Sequence, residues 1–158
     1  AKREQRGETK MQTAIVYYSK HHGNTKKLLD AIAQQWDVAL IDAAGNPNPD
    51  LSAYDLIGFA SGIYFGRFHK SVLKAAGNLP EGKKVFIICT YGAKKPRTAS
   101  IEHVLRSRQA RLLGTYGCRG FDTFGPFKLV GGIAKGHPNE NDIAGAVKFF
   151  AGLLNGLS

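Results

Sequence analysis

Residues 13–32 constrain this chain more than any other stretch. The run Thr13-Ala14-Ile15-Val16-Tyr17-Tyr18 is apolar, β-branched and aromatic, and Ser19-Lys20-His21-His22-Gly23-Asn24-Thr25 follows as a short polar turn. Leu28, Leu29, Ile32 and Trp36 then recur at helical spacing. The pattern predicts a buried strand, a hydroxyl- and glycine-bearing turn, and a helix whose first amides face back over the strand end. Those amides lack intrahelical acceptors and carry the positive end of the helix dipole. With Ser19, Asn24 and Thr25 beside them, they make a pocket suited to a phosphate. The rest of the chain must say what the phosphate is attached to.

Val38–Asp42 reads as a second short strand, and Ala43–Asp50 is punctuated by Gly and Pro and reads as loop. Asp55–Ala60 is a continuous apolar run, as expected of a strand covered on both faces, and it ends in a loop over Ser61–His69. A helix over about Lys70–Ala76 is stopped by Gly77. Lys83–Thr90 carries the strongest strand pattern, and Tyr91–Arg97 follows as an exposed basic loop. A helix over Thr98–Leu113 would place Ile101, Val104, Leu105 and Leu112 on one side, with Arg108 inside that apolar stripe. Thr115–Phe121 is a last strand, Asp122–Pro138 a long Gly-rich connection, and Glu140–Leu154 a closing helix with Ile143, Val147, Phe150 and Leu154 on one face. Asn139, with Asp142 three residues later, is placed to cap it. Five strands alternating with helices predict an α/β fold: a doubly wound, five-stranded parallel sheet in a three-layer α/β/α arrangement. Ligands of such sheets bind at the carboxyl ends of the strands, where the strand order switches. Three loops leave those ends and carry binding groups: 19–25, 61–69 and 90–97.

A length of 158 residues suits one domain over residues 11–158, with residues 1–10 a remnant or flexible basic arm ahead of Met11. No apolar run approaches the ~18–20 residues that span a bilayer, and Ala1–Lys10 has no hydrophobic middle of the kind a secretory leader needs. Cys89 and Cys118 fall in strand-like segments without metal-ligand spacing, which reads as free thiols in a reducing cytoplasm. The net charge of +10 is uneven: between Lys83 and Arg119 nine cations face Glu102 alone. Such a face suits an anionic partner, or is simply a solvated surface. The basic stretch lacks the interleaved aromatics that single-stranded nucleic acid needs.

Particular residues exclude several chemistries. A dinucleotide fingerprint needs three glycines at the first turn, where Gly23 stands alone. A nucleotide triphosphatase loop needs Gly-Lys-Ser/Thr, and the chain has Gly23-Asn24-Thr25. A phosphoacceptor receiver needs acidic residues after the first strand, where Tyr18-Ser19-Lys20 stands. Neither cysteine lies in a loop directly ahead of a helix, as a cysteine phosphatase requires. What remains is a monophosphate in the first loop and a planar ring between the other two. Tyr64, Phe65 and Phe68 in the second loop and Tyr91 in the third offer stacking faces, and Gly62, Gly66 and Gly92 allow close backbone approach.

In Tyr18-Ser19…Gly23-Asn24-Thr25, in Ser61-Gly62-Ile63-Tyr64-Phe65-Gly66 and in Phe121–Phe127, the chain resembles the flavodoxin family, specifically a short bacterial group, over about residues 12–157. The resemblance implies FMN held non-covalently. Its phosphate would lie on Ser19, Lys20, His21, His22, Gly23, Asn24 and Thr25. Its isoalloxazine would lie between Ser61–Gly66 and Thr90, Tyr91, Gly92 and Ala93. It also implies that Gly62 can turn its carbonyl toward the flavin nitrogen protonated on reduction. The chain departs from the usual pattern in Lys20-His21-His22, which lengthens the first loop and makes it basic, and in its overall charge, because flavodoxins are typically acidic.

Three functions follow from these readings. The first is an electron carrier between a reductase and an acceptor, docking a redox partner on a basic rim of Lys94, Lys95 and Arg97. The second is an FMN-dependent oxidoreductase acting on NAD(P)H, a quinone or another anionic substrate, with His69 or His22 as proton donor. The third is a binding module that has lost FMN.

Overall fold

The computed structural model describes residues 10–20, 23–92, 95–121 and 134–157. Strand β1 (Thr13–Tyr18) leads through helix α1 (Asn24–Gln35) to β2 (Val38–Asp42). Strand β3 (Leu56–Tyr64) turns into the two-residue β4 (Arg67–Phe68), and α2 (Lys70–Gly77) follows. Strand β5 (Lys84–Tyr91), α3 (Ala99–Ser107), β6 (Arg111–Arg119) and α4 (Glu140–Leu157) complete the chain. The five long strands are parallel in the order β2-β1-β3-β5-β6, and β4 pairs antiparallel with β3. This is the doubly wound α/β/α arrangement expected from the alternation of strands and helices.

Period-two alternation along the strands builds two cores. Val16, Ile57, Phe59, Ile87 and Cys89 face α2 and α3, where Val72, Ala76, Ile101 and Leu105 meet them. Ile15, Leu56, Ala60, Phe86 and Ile88 face α1 and α4, against Leu28, Leu29, Ile32, Ala146 and Phe150. Gly58 is part of this packing, because a Cβ there would collide with the Phe86 ring. Trp36 packs edge-on against Phe150, with centroids 5.1 Å apart, and belongs to the same core.

Three boundaries differ from the sequence pattern. Strand β3 does not end at Ala60. Ser61 pairs with Tyr18 on one side and Gly62 with Thr90 on the other, and antiparallel pairing with β4 then carries the strand to Tyr64. The expected loop over 61–69 is therefore a hairpin. The helix expected over Thr98–Leu113 stops at Ser107, because Gln109 takes a left-handed φ of 51° and the Arg111 amide bonds to the Lys83 carbonyl at 2.8 Å. Leu112 thus lies on the sheet edge, 39% exposed, and not on a helix face. Arg108 caps that helix end, and its Nε donates to the Leu79 carbonyl at 2.7 Å. Gly77 is the last residue of α2, and Asn78 is the cap.

At α4 the sequence reading holds closely. Asn139 Oδ1 accepts from the Asp142 amide at 2.9 Å, and Asp142 Oδ2 accepts from the Asn139 amide at 2.8 Å. This reciprocal capping box gains a third arm in His137 Nδ1, 2.7 Å from the same carboxylate.

Candidate functional site

Because β1, β3 and β5 run parallel, their carboxyl ends and the N-termini of α1, α2 and α3 gather on one edge. The chain leaves β1 in one direction across the sheet and β3 in the other, so a crevice opens between those ends. The first turn is built by Gly23, whose φ of 63° few other residues tolerate at low cost. Gly23 offers no side-chain cap, and the cap comes instead from Ser19, whose Oγ accepts from the Lys26 amide at 3.0 Å. The Lys27 amide closes onto the Gly23 carbonyl. The amides of Asn24 and Thr25 are left without an acceptor among the described residues. They belong to a helix end flanked by hydroxyls, an arrangement that suits an anion. The neighbouring Lys26 does not serve it, because its ammonium is tied to Asp30 at 2.6 Å.

Two side chains of this turn reach across the crevice. Thr25 Oγ1 lies 3.0 Å from Thr90 Oγ1, and both residues are buried. Asn24, 7% exposed, donates from Nδ2 to the Phe121 carbonyl at 2.8 Å. That reach needs a glycine beside it, since a Cβ on Gly120 would come within 2.7 Å of Asn24 Nδ2. Asn24 Oδ1 remains a buried acceptor with no donor among the described residues. The result is an open cleft lined by Ser19, Asn24 and Thr25, by Gly62, Ile63 and Tyr64, by Thr90, Tyr91 and Gly92, and by Gly120 and Phe121.

The second wall is the β3–β4 hairpin. Ser61 is fully buried, and its hydroxyl donates to the Gly62 carbonyl at 2.6 Å while accepting from the His69 amide at 3.1 Å. Tyr64 folds back over Gly62, so a Cβ there would touch the phenol ring at 3.3 Å. His69 stacks on Tyr18 with centroids 3.5 Å apart, and Tyr64 meets both rings edge-on. His69 also caps α2, its Nδ1 accepting from the Ser71 amide at 3.2 Å. Burial, followed by the charges of Lys70 and Lys20, lowers its pKa below the usual value. On the third wall, Arg119 donates to the Gly92 carbonyl at 2.6 Å, and the Gly120 amide bonds to the Tyr91 carbonyl at 2.9 Å.

Most residues singled out from the sequence meet at this cleft, and a few stand apart. Gly23 turns the backbone without lining the cleft, Ser61 supports the wall from beneath, and Lys20 is exposed beside it. Phe65, 82% exposed, stands at the hairpin tip and is not itself a lining residue. Gly66 faces Arg97, whose Cδ would be 3.2 Å from a Cβ there. His21, His22, Ala93 and Lys94 lie outside the described residues, as does the stretch 122–127. Gly120 and Phe121 are wall residues that the sequence reading placed inside the last strand. The signal for them was the carboxyl end of a fourth strand of the parallel sheet, running into glycine-rich sequence.

The residues present fit a phosphorylated, hydroxyl-bearing ligand with a flat ring. Amides without an acceptor among the described residues, with the Ser19 and Thr25 hydroxyls beside them, suit the phosphate; Asn24 Oδ1 is an acceptor that a ligand hydroxyl would satisfy, and the rings and bare glycine backbone line the remainder. Both cysteines are buried and free, and burial pushes each thiol up to about 12. Neither is a thiolate nucleophile at neutral pH. Among the described residues no cluster of His, Cys, Asp and Glu could hold a metal, and no helix is long and apolar enough to cross a membrane.

A family model described as a flavodoxin domain matches residues 15–120. An uncharacterized protein of Methanocaldococcus jannaschii is 41% identical over 151 residues, spanning 91% of this chain and 99% of that protein. Oxidised flavodoxin 2 from Bacillus cereus superposes with a TM-score of 0.66 at 21% identity, covering 91% of this chain and 98% of that one. A WrbA-like flavodoxin from Agrobacterium tumefaciens gives 0.64 at 20% identity, with 92% and 96% covered. At such identities the structural likeness speaks for the fold alone.

Proposed function

The chain belongs to the flavodoxin family, and from that premise we propose that it binds FMN in the cleft and carries electrons between a reductase and an acceptor protein. Members of the family usually bind a flavin, and in flavodoxins FMN occupies the β1/β3 switch point of this strand order. The observation that carries the reading is the meeting, in one cleft, of a helix N-terminus whose first amides have no acceptor among the described residues with a wall of rings and glycines. Ser19, Asn24 and Thr25, with the first amides of α1, hold the phosphate. Tyr64 and Tyr91 flank the ring, and the backbone of Gly62 and Gly92 approaches its edge. FMN, when bound, supplies one- and two-electron redox chemistry. The protein's own part is to bind and orient it, to limit water on the Tyr18–Tyr64–His69 side, and to present the remaining edge.

The carrier reading is favoured over an oxidoreductase with its own substrate by the place of His69. The imidazole is held as the cap of α2 through Nδ1 and stacked on Tyr18, and it does not line the cleft as a proton donor to a substrate would. The partner fits as an acidic redox protein, because Lys95 and Arg97 stand beside the third wall. Flavin identification in the purified protein is the test. Release of FMN on denaturation, together with photoreduction and negligible NAD(P)H oxidation, is expected. Colourless protein that takes up no added FMN refutes the cofactor, and rapid NADPH turnover refutes the carrier role.

A further inference from the structure

We infer that the tip of the β3–β4 hairpin is the docking anchor for an acidic redox protein: Phe65 enters an apolar pocket of that partner while Arg67, Lys95 and Arg97 meet carboxylates around it. The inference rests on the reading of the cleft as a redox site, whose mouth lies beside the tip.

The backbone makes Phe65 unusual. A lone exposed hydrophobic side chain is ordinary on a protein surface. Phe65 has φ 49° and Gly66 φ 75°, between the paired residues Tyr64 and Arg67. Two successive positive φ values mark a type I′ hairpin turn, whose first position favours Asn, Asp or Gly. A bulky aromatic residue there is strained, and its side chain is 82% exposed. Backbone strain of this kind collects at functional sites. The mount is also firm. Phe68 is buried, and its amide bonds to Ser100 Oγ at 3.0 Å, so the hairpin is pinned to the start of α3. A rigidly presented aromatic side chain loses little freedom on binding, which is the property of an interface anchor.

Charge selects the partner. On this edge Lys20, Arg67, Lys70, Lys95, Arg97 and Arg119 are cationic; the carboxylates of Asp42 at the end of β2 and of Glu102 and Glu140 in the first turns of α3 and α4 stand there too, but the segments 63–70 and 95–98 that form and flank the tip carry cations and no carboxylate. Arg97 packs against the turn itself at Gly66. The N-termini of α1, α2 and α3 add their positive ends on the same edge. A ring of cations around one apolar anchor complements an apolar pocket rimmed with carboxylates, and such rims set docking rate and partner choice. Single-stranded nucleic acid would call for several stacking rings. Stable attachment to an anionic bilayer would call for more apolar area than one side chain. Tyr64 lines the cleft one residue before Phe65, so a protein seated on the tip also covers the cleft mouth.

The test is a binding titration of the full chain, with and without added FMN, against acidic [2Fe–2S] ferredoxins, with basic cytochrome c as the counter-probe. Resonance shifts centred on residues 63–70 and 95–97 are expected with ferredoxin alone, weakening as salt is raised. Phe65→Ala should weaken ferredoxin binding at least tenfold and leave the FMN affinity within twofold. Arg67→Glu with Arg97→Glu should abolish the salt dependence. Phe65→Asn should lose the same docking while raising the melting temperature by roughly 2–4 °C, as relief of turn strain predicts. Ferredoxin binding that ignores Phe65 overturns the inference. So does Phe65-dependent binding to phosphatidylserine vesicles or to oligothymidine in place of ferredoxin, and so does a tenfold loss of FMN affinity in Phe65→Ala with docking intact. Docking is read without FMN as well, so a failure of the cofactor reading shows separately.

Discussion

Thr25→Val tests the phosphate assignment and the structure together. The Thr25 hydroxyl lies 3.0 Å from Thr90 Oγ1, and both residues are almost fully buried. Valine keeps the shape but strands the Thr90 hydroxyl, which costs about 1–3 kcal/mol because a buried polar group loses its partner. A domain of this size loses about 2–4 °C of melting temperature for each kcal/mol. The double variant Thr25→Val/Thr90→Val removes both hydroxyls and should fall close to the wild type in stability. Binding should not recover with it. A hydrogen bond to a charged group contributes about 1.5–3 kcal/mol, so the affinity for FMN should fall roughly 10- to 150-fold in the single and the double variant alike. Chemical denaturation of the ligand-free proteins gives the first quantity, and quenching of flavin fluorescence gives the second. Riboflavin, which lacks the phosphate, is the control and should bind all variants alike. If the two variants bind FMN as the wild type does, or lose riboflavin equally, Thr25 is a structural residue and the phosphate lies elsewhere.

Three further outcomes follow from packing and titration. Gly58→Ala drives a methyl into the Phe86 ring and should cost about 1–3 kcal/mol, with Gly58→Ala/Phe86→Leu recovering much of it in a double-mutant cycle measured by urea denaturation. Cys89 and Cys118, with thiols pushed from 9.0 up to about 12, hold protons that the unfolded chain sheds. Stability is therefore fully present below about pH 9 and declines as pH rises toward 12, while thiol reagents at neutral pH should react only as fast as the chain opens; fast labelling of the folded protein contradicts the burial. Asp142→Ala removes the carboxylate shared by Asn139 and His137 and should cost about 1–2 kcal/mol, visible as a lower thermal midpoint with FMN affinity unchanged.

The parallel sheet was legible because its strands are buried on both faces and its helices show a 3.6-residue period, so alternation alone fixed the class. The first loop was legible for a similar reason: a hydroxyl, a lone glycine and Asn-Thr at a strand–helix junction admit few chemistries. Misreadings came where tertiary pairing overrode local pattern. Ser61-Gly62 looks like a loop, yet pairing on both sides holds it in the sheet. Leu112 fits a helical stripe, but the edge of β5 captured the segment after Gln109. The wall at Gly120 and Phe121 was not legible, because the need for a glycine there arises from the reach of Asn24, 97 residues away in sequence. The aromatic cluster was half legible. Tyr64 was marked as a stacking face, but the pairing of Tyr18 with His69 depends on how the hairpin folds back.

The site's polar groups form a pattern that folding alone does not explain. A helix of 12 residues can satisfy its first amides with a capping side chain, as Ser, Asn or Asp does where the cap residue is extended. The chain has instead a left-handed glycine, borrows Ser19 for a single amide, and leaves those of Asn24 and Thr25 facing the cleft. Asn24 spends its amide nitrogen on the far wall and leaves its oxygen buried without a donor among the described residues. Two donors for an anion and one acceptor for a hydroxyl thus stand within two residues. A bare phosphate would satisfy the donors and leave the acceptor stranded, whereas a phosphate carried on a hydroxylated chain serves both. That distinction, drawn from one asparagine, points to an alcohol-bearing phosphate ester over an inorganic anion.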